Sequence, residues 1–442
     1  MNRELLETAA RLVEGAVKRG AQGARASAYR SHESTVEWRD GKLDRLQDST
    51  QKGATVTLFV DGRYSSNTTC DLRPEALARF LDEGVAMTRV LAVDPHRHLP
   101  DPKHYAARFD GDLRLYDTTG HAELTPDVRR STTQQLEEAV RTAPGAEALI
   151  SVTTACSNSE TESVVVASNG LQVGRQVGDF SISAEASVRD QGDRKPEGSS
   201  YGATTERSAL PSIAWVGADA LARGLALRGS APQKSGQYAC VVENRVASRL
   251  LRDILQPLNG QAIQQQRSYL AGKLGERLFS QKLTIIDEPL LQAGLASRPY
   301  DGEGMTRQRL PLIDKGVVRA FLLDTYYASK LNLAPTTGST TNLVFERGTQ
   351  DLAGLLETMG TGILITGFSG GNSNSATGDF SLGIRGQWIE RGKPVRAVSE
   401  MNLAGNHLQF WKELAEVGND PFSYASIQAP SLRFGAVQFS GL

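Results

Sequence analysis

Asp301 and Glu303 lie in SRPYDGEGMTRQR, two carboxylates on one glycine-rich loop with Arg298 just ahead of them. Such a set can do acid–base work or hold a substrate amine. A tight turn closed by a salt bridge uses the same residues. His407, in EMNLAGNHLQFW, is the sole histidine after His121, so a nucleophile–histidine pair in the C-terminal half has one possible base. No GxSxG elbow is present to supply its serine. The segment TGFSGGNSNSATGDFSLGIRG (366–386) carries Gly378, Asp379, Phe380 and Ser381. It has the glycines of a phosphate loop but neither a GKS or GKT ending nor a following helix. Those glycines suit the close approach of another backbone, as when an extended peptide adds to a sheet edge, or simply a structural turn. His96, His98 and His104, with Asp94 and Asp101, offer metal-type donors in DPHRHLPDPKHY. The prolines around them and the lack of an apolar pattern point to an extended surface linker. Cys240, inside YACVV, reads as a buried core thiol.

Composition narrows the chemistry. The chain has 442 residues, long enough for two or three domains and a full core without disulfides or structural metals. Its 49 Lys+Arg and 50 Asp+Glu leave a formal net charge of −1, which argues against nucleic-acid binding. No apolar run reaches the length of a membrane span, and the N-terminal residues read as an amphipathic helix rather than a signal peptide. Cys70, Cys156 and Cys240 are well separated and form no CxxC pair, which fits a reducing cytoplasm.

The elements that must position these residues follow from periodicity. Leu5, Ala9, Leu12, Val13 and Val17 predict a helix over 3–19. Short strands are expected at 24–30, 34–40, 42–50 and 54–69, with hairpins at Asp40-Gly41 and Asp61-Gly62. A helix over 72–91 would face Leu77, Phe80, Leu81, Val85 and Met87 inward, and 93–112 would be a connection. The pattern then recurs: a helix at 125–142, strands at 148–155, 162–168, 171–176 and 179–189, and a helix near 211–228. The expected fold class is α+β. A duplicated N-terminal region of antiparallel strands with flanking helices spans 1–229, with repeats at about 1–92 and 120–229. A mainly β domain, barrel-like or sandwich-like, spans 230–442. It would open with a helix capped by Asn244, and GVVRAFLLDTYYAS would be one of its strands.

Three blocks of the second half carry a resemblance: SYLAGKLGERLFSQKLTIIDEP, GLASRPYDGEGMTRQRLPLIDKGVVRAFLLDTYYASKLNL and NSNSATGDFSLGIRGQWIERGKPVRAVSEMNLAGNHLQFW. In order and spacing they resemble the TldD/PmbA family, on its PmbA (TldE) side, and the duplicated N-terminal region is compatible with it. The resemblance implies cytoplasmic proteins that pair as TldD with TldE in a zinc-dependent peptidase. In TldD, an HExxxH on a helix and a later cysteine would hold the metal. Two imidazoles and a thiolate leave a place for water, and the glutamate takes its proton.

Set against that motif, LLRDILQPLNG (250–260) puts Leu251 and Gln256 at the histidine positions and Arg252 at the general-base position. A guanidinium cannot accept a proton. No cysteine follows Cys240. The expectation is therefore a non-catalytic subunit with no cofactor of its own, zinc being expected in a TldD-like partner within a heterodimer. It would help form a peptide channel from Arg298, Asp301, Glu303, Gly378, Asp379, Phe380, Ser381 and His407. Two alternatives stay open. One is a metal-independent catalyst acting on a peptide or natural product; the other is a homodimeric peptide-binding module.

Overall fold

A computed structural model describes residues 2–105, 109 and 111–441. The linker read at 93–112 therefore falls partly outside the described residues. The N-terminal region runs α1 (Arg3–Lys18), β1 (Gly23–Arg39), β2 (Lys42–Val60), β3 (Arg63–Thr69), α2 (Pro74–Arg89), α3 (Thr118–Glu123), α4 (Pro126–Arg141), β4 (Leu149–Ala167), β5 (Gln172–Val188), β6 (Glu197–Thr204) and α5 (Ile213–Leu225). All six strands form one sheet in the order β3-β2-β1-β4-β5-β6. The two repeats thus join edge to edge through the antiparallel β1–β4 pair, Arg25 opposite Ala167. Each repeat keeps its own core. Leu12, Leu58 and Leu77 pack under α1 and α2, while Leu136, Phe180 and Leu221 pack under α4 and α5.

The strands correct the short segments read from sequence. Stretches 24–30 and 34–40 are one strand, as are 42–50 and the start of 54–69. Polar residues at 31–35 suggested a break, but that part of β1 lies beyond the repeat's core and pairs with both neighbours, so ladder bonds carry it. Met87 is 60% exposed rather than inward.

The C-terminal region runs β7 (Gly236–Val242), α6 (Asn244–Leu255), α7 (Gly260–Gln264), β8 (Ile285–Glu288), β9 (Leu310–Asp314), β10 (Val317–Val318), α8 (Thr325–Leu331), β11 (Asn342–Phe345), α9 (Leu352–Met359), β12 (Gly362–Ser373), β13 (Asp379–Glu390), β14 (Lys393–Asn406), α10 (His407–Phe410), β15 (Leu414–Val417) and β16 (Leu432–Ser440). β14-β13-β12-β7-β16 closes on itself through a β14–β16 pairing, a five-stranded barrel with β15 at its side. The β7–β12 pair is parallel and the rest antiparallel. The apolar face of α6 enters this core through Leu250, Leu251, Ile254 and, just beyond the helix, Leu258, all fully buried. A second sheet, β10-β9-β8-β11, adjoins it.

Two expectations fail here. GVVRAFLLDTYYAS holds only the short β10; its second half is α8, because the Asp324 side chain accepts from the Tyr327 amide and starts a helix. Asn244 does not cap α6 with its side chain, whose Nδ2 donates to the Asp420 carbonyl at 2.6 Å. Among the described residues, no helix is long and apolar enough to cross a membrane.

Candidate functional site

α6 lies against the barrel with three consequences for the motif positions. Leu251 is fully buried in the core, Arg252 is exposed, and the Gln256 Oε1 accepts from the Ser375 hydroxyl at 3.4 Å. Ser375 belongs to the turn joining β12 to β13. That turn is pinned by Asn406, whose Nδ2 donates to the Thr377 carbonyl at 2.9 Å and to Asp379 Oδ1 at 3.0 Å. Bonds from Asn406 and Thr377 hold the Asp379 carboxyl below the usual carboxylate range. Gly378 has φ +84, and its carbonyl accepts from the His407 amide at 2.8 Å. Only glycine takes that backbone shape without strain.

His407 sits behind this turn, fully buried, its ring 4.4 Å from Phe380 and 6.0 Å from Tyr269. Its Nε2 is 2.9 Å from Ser373 Oγ and 3.8 Å from Asp253 Oδ2. Burial and the Arg249 charge hold the imidazole down to about 4, so it is neutral at pH 7. A serine beside a neutral imidazole resembles a nucleophile pair, but the carboxylate approaches the same ring nitrogen as the serine. A triad needs it on the other nitrogen, to orient the ring and stabilise the imidazolium. Nδ1 has no partner among the described residues. The Ser373–His407 bond fastens β12 to α10, while Asp253 Oδ2 on α6 has no hydrogen-bond partner among the described residues.

The Arg298 loop is elsewhere. Gly302, Asp301 and Glu303 line a depression of about 290 Å³, whereas Asp379, Phe380 and Ser381 line another of about 580 Å³. Asp301 Oδ1 accepts from the Glu303 and Met305 amides at 2.8 and 3.0 Å, and burial pushes its carboxyl up. Glu303 Oε2 takes the Thr325 amide and hydroxyl, both at 2.8 Å. Arg298 Nη2 donates to Ser339 Oγ at 2.6 Å and the Thr340 carbonyl at 2.9 Å, with burial lowering its guanidinium pKa. These bonds hold a tight turn. The histidine-rich linker also serves as a fastening. Asp94 Oδ2 accepts from the Tyr326 hydroxyl at 2.8 Å, His96 Nδ1 meets Ser329 Oγ at 2.9 Å, and Arg97 stacks 3.3 Å from the Tyr326 ring centre.

A larger feature escaped the sequence reading. A trough of about 690 Å³ runs between the β6 end of the N-terminal sheet and the barrel strand β12. Its floor holds a network in which Arg223 pairs with Glu243 and Asp219, and Arg245 Nη1 reaches Asp219 at 2.7 Å. A signal existed: Arg245, Arg249 and Arg252 recur at helical spacing as one basic stripe along α6.

The fold, the barrel and the order of its loops can now be placed beside known proteins. Profiles of the PmbA/TldA metallopeptidase domains match residues 24–88 (domain 1), 121–228 (central domain) and 235–441 (C-terminal domain). The chain belongs to the PmbA/TldD family. It is 28% identical to Metalloprotease PmbA of Escherichia coli O157:H7, over 99% of this chain and 96% of that one. A solved Bacteroides thetaiotaomicron protein, described as a candidate modulator of DNA gyrase, is 38% identical with TM-score 0.95 over the full length of both chains. TldE from Thermococcus kodakarensis shares the fold, with TM-score 0.86 at 19% identity over 98% of this chain and 100% of that one.

The family name implies a metal, so the donors matter. Among the described residues no three His, Cys, Asp or Glu side chains converge. His407 and Asp253 meet without a third donor, and Cys240 is fully buried with its thiol pushed up by burial. The side chains at 251, 252 and 256 supply neither imidazole nor carboxylate. These residues do not fit a peptidase zinc.

Proposed function

We propose that this chain is the non-catalytic, TldE-like subunit of a two-subunit zinc peptidase. A TldD-like partner would hold the metal, and this chain would shape the path of an extended peptide. The observation that carries the reading is α6. It keeps the buried face that seats it on the barrel, yet Leu251 is turned into the core and Arg252 and Gln256 replace a base and a ligand. A fold retained while its metal donors are gone fits a subunit kept for shape and binding. The β12–β13 turn, with Asp379 exposed, Ser381 half-buried and Gly378 and Phe380 buried behind them, is the proposed channel wall; the Arg298 loop, tied to residues 325, 339 and 340, supports it from a distance.

The test is co-expression with a TldD-like protein, followed by separation of the subunits and zinc analysis of each. Zinc should follow the partner. Zinc retained by this chain alone, or a stable homodimer indifferent to the partner, overturns the reading. Chelator-insensitive peptide cleavage by the isolated chain would point instead to metal-independent catalysis.

A further inference from the structure

Two strand edges face the trough, and neither is paired on that side. β6 is the last strand of its sheet, bonded only to β5. Among the described residues, no backbone group from Glu197 to Ala203 bonds to any other element. Glu197, Gly198 and Ser199 all border the trough, so it is the edge of the strand and not one face that is presented. β12 pairs with β7 only over Ile363–Ile365. From Thr366 to Ser373 its β7-side edge is free, and Thr366, Gly367, Phe368, Gly370 and Gly371 border the same trough. Free edges are templates for another strand, and soluble proteins normally cover or shorten them.

The charges around the edges leave cations in excess: two guanidiniums are unpaired, against one carboxylate, Glu197, which accepts only from the Ser187 hydroxyl at 3.1 Å. Arg223, Arg245 and Arg249 are each matched by a carboxylate. Arg385 lies across Gly367, where a Cβ would collide with its stem, and has no hydrogen bond or ion pair among the described residues. Arg252 is likewise exposed and unpaired. It continues the α6 stripe and acts electrostatically on Tyr201, which borders the trough. Half-buried Phe368 and partly exposed Tyr201 supply apolar and aromatic surface between the cations. A second depression of about 570 Å³ shares Glu197, Leu227 and Arg385 with the trough, so the path continues past β13 and β14.

We infer that the trough binds an extended acidic segment of the substrate peptide, added as a strand to β6 or to the distal edge of β12. Its carboxylates would meet Arg385 on the trough's lining, with Arg252 adding positive charge from outside it. The inference rests on the peptide-handling role proposed above and gives that role a place and a charge preference. Backbone pairing supplies affinity with little regard to sequence, and the unpaired guanidiniums supply the bias.

The experiment uses the purified full chain, alone and with its TldD-like partner. Binding of a fluorescein-labelled ten-residue peptide alternating Thr and Glu is followed by anisotropy. The controls are a Thr/Lys peptide and a Thr/Glu peptide N-methylated on alternate amides. The acidic peptide should bind about tenfold tighter than the basic one. N-methylation should abolish binding, and Arg385→Glu should weaken it about tenfold. Arg385→Gln, a milder change on the same surface, should weaken it less. Hydrogen exchange should slow at 197–203 or 366–371 when the peptide is added. Equal binding of acidic and basic peptides, indifference to N-methylation, or protection only at 372–381 overturns the inference and leaves the subunit reading standing. No binding to either preparation, with the partner cleaving peptides unaided, overturns both.

Discussion

Burial keeps the His407 imidazole neutral, and that has a measurable sign. The unfolded chain takes up a proton near pH 6.5 that the folded chain refuses until about 4. The residue's contribution to stability is therefore full above about pH 6.5 and is lost as pH falls towards 4. The raised carboxyl of Asp253 works in the opposite sense, favouring the fold at lower pH. Urea unfolding of wild type should lose about 2 kcal/mol more between pH 7 and pH 5 than His407→Gln does. Parallel pH profiles would show that the ring is not held neutral. Arg307 and Asp287 are a buried pair, 3% and 0% exposed, and Asp287 Oδ1 also accepts the Thr341 amide at 2.6 Å. Asp287→Ala strands a buried guanidinium and should cost about 3–5 kcal/mol in the same assay; a loss under 1 kcal/mol, the range of an exposed pair, would contradict the burial. The sequence placed Arg298, Asp301 and Glu303 on one loop and allowed for a tight turn. It could not show that Glu303 is held by Thr325 and Arg298 by Ser339 and Thr340, because those residues meet only in the fold.

Elements were most legible where amphipathic periodicity is strong and least where it is interrupted. α1, α2, α4 and α6 follow their apolar stripes. β6, in EGSSYGAT, was missed because its inward residues are Gly198, Ser200 and Gly202, which carry no hydrophobic signal. Their smallness has a cause: a Cβ on Gly198 would run into the α5 backbone at Ala220 and Gly224. Gly198→Ala should therefore destabilise by about 1–3 kcal/mol, lowering the thermal midpoint, whereas Ser199→Ala, on the exposed side, should leave it nearly unchanged. Equal effects would mean α5 does not pack on this strand as described. The linker was legible as proline-rich, but its attachments were not. Arg97 lies between the rings of Tyr64 and Tyr326, tying the N-terminal sheet to α8. Arg97→Ala should speed thermolysin cleavage between residues 94 and 105 several-fold, a change in local opening. An unchanged rate would show that the stacking does not hold the segment.

At the scale of the molecule, the family was readable because its blocks fall at turns and close contacts, such as the Gly378 turn and the Asp301 loop, where few residue types fit. The barrel's closure and the trough were not, since they depend on how β6, α6 and β12 come together from distant parts of the chain. Under the proposed function, the metal chemistry is separable from the fold. The face of α6 that the barrel needs is aliphatic, while of the motif positions Leu251 is turned inward and Arg252 and Gln256 are exposed. Peptide cleavage by this chain alone, the TldD-like partner alone and the two combined tests that account most directly, using one unstructured peptide with and without chelator. The combined preparation should be active and chelator-sensitive, and this chain alone inactive. A partner that cleaves equally fast by itself, or turnover by this chain alone, would contradict it.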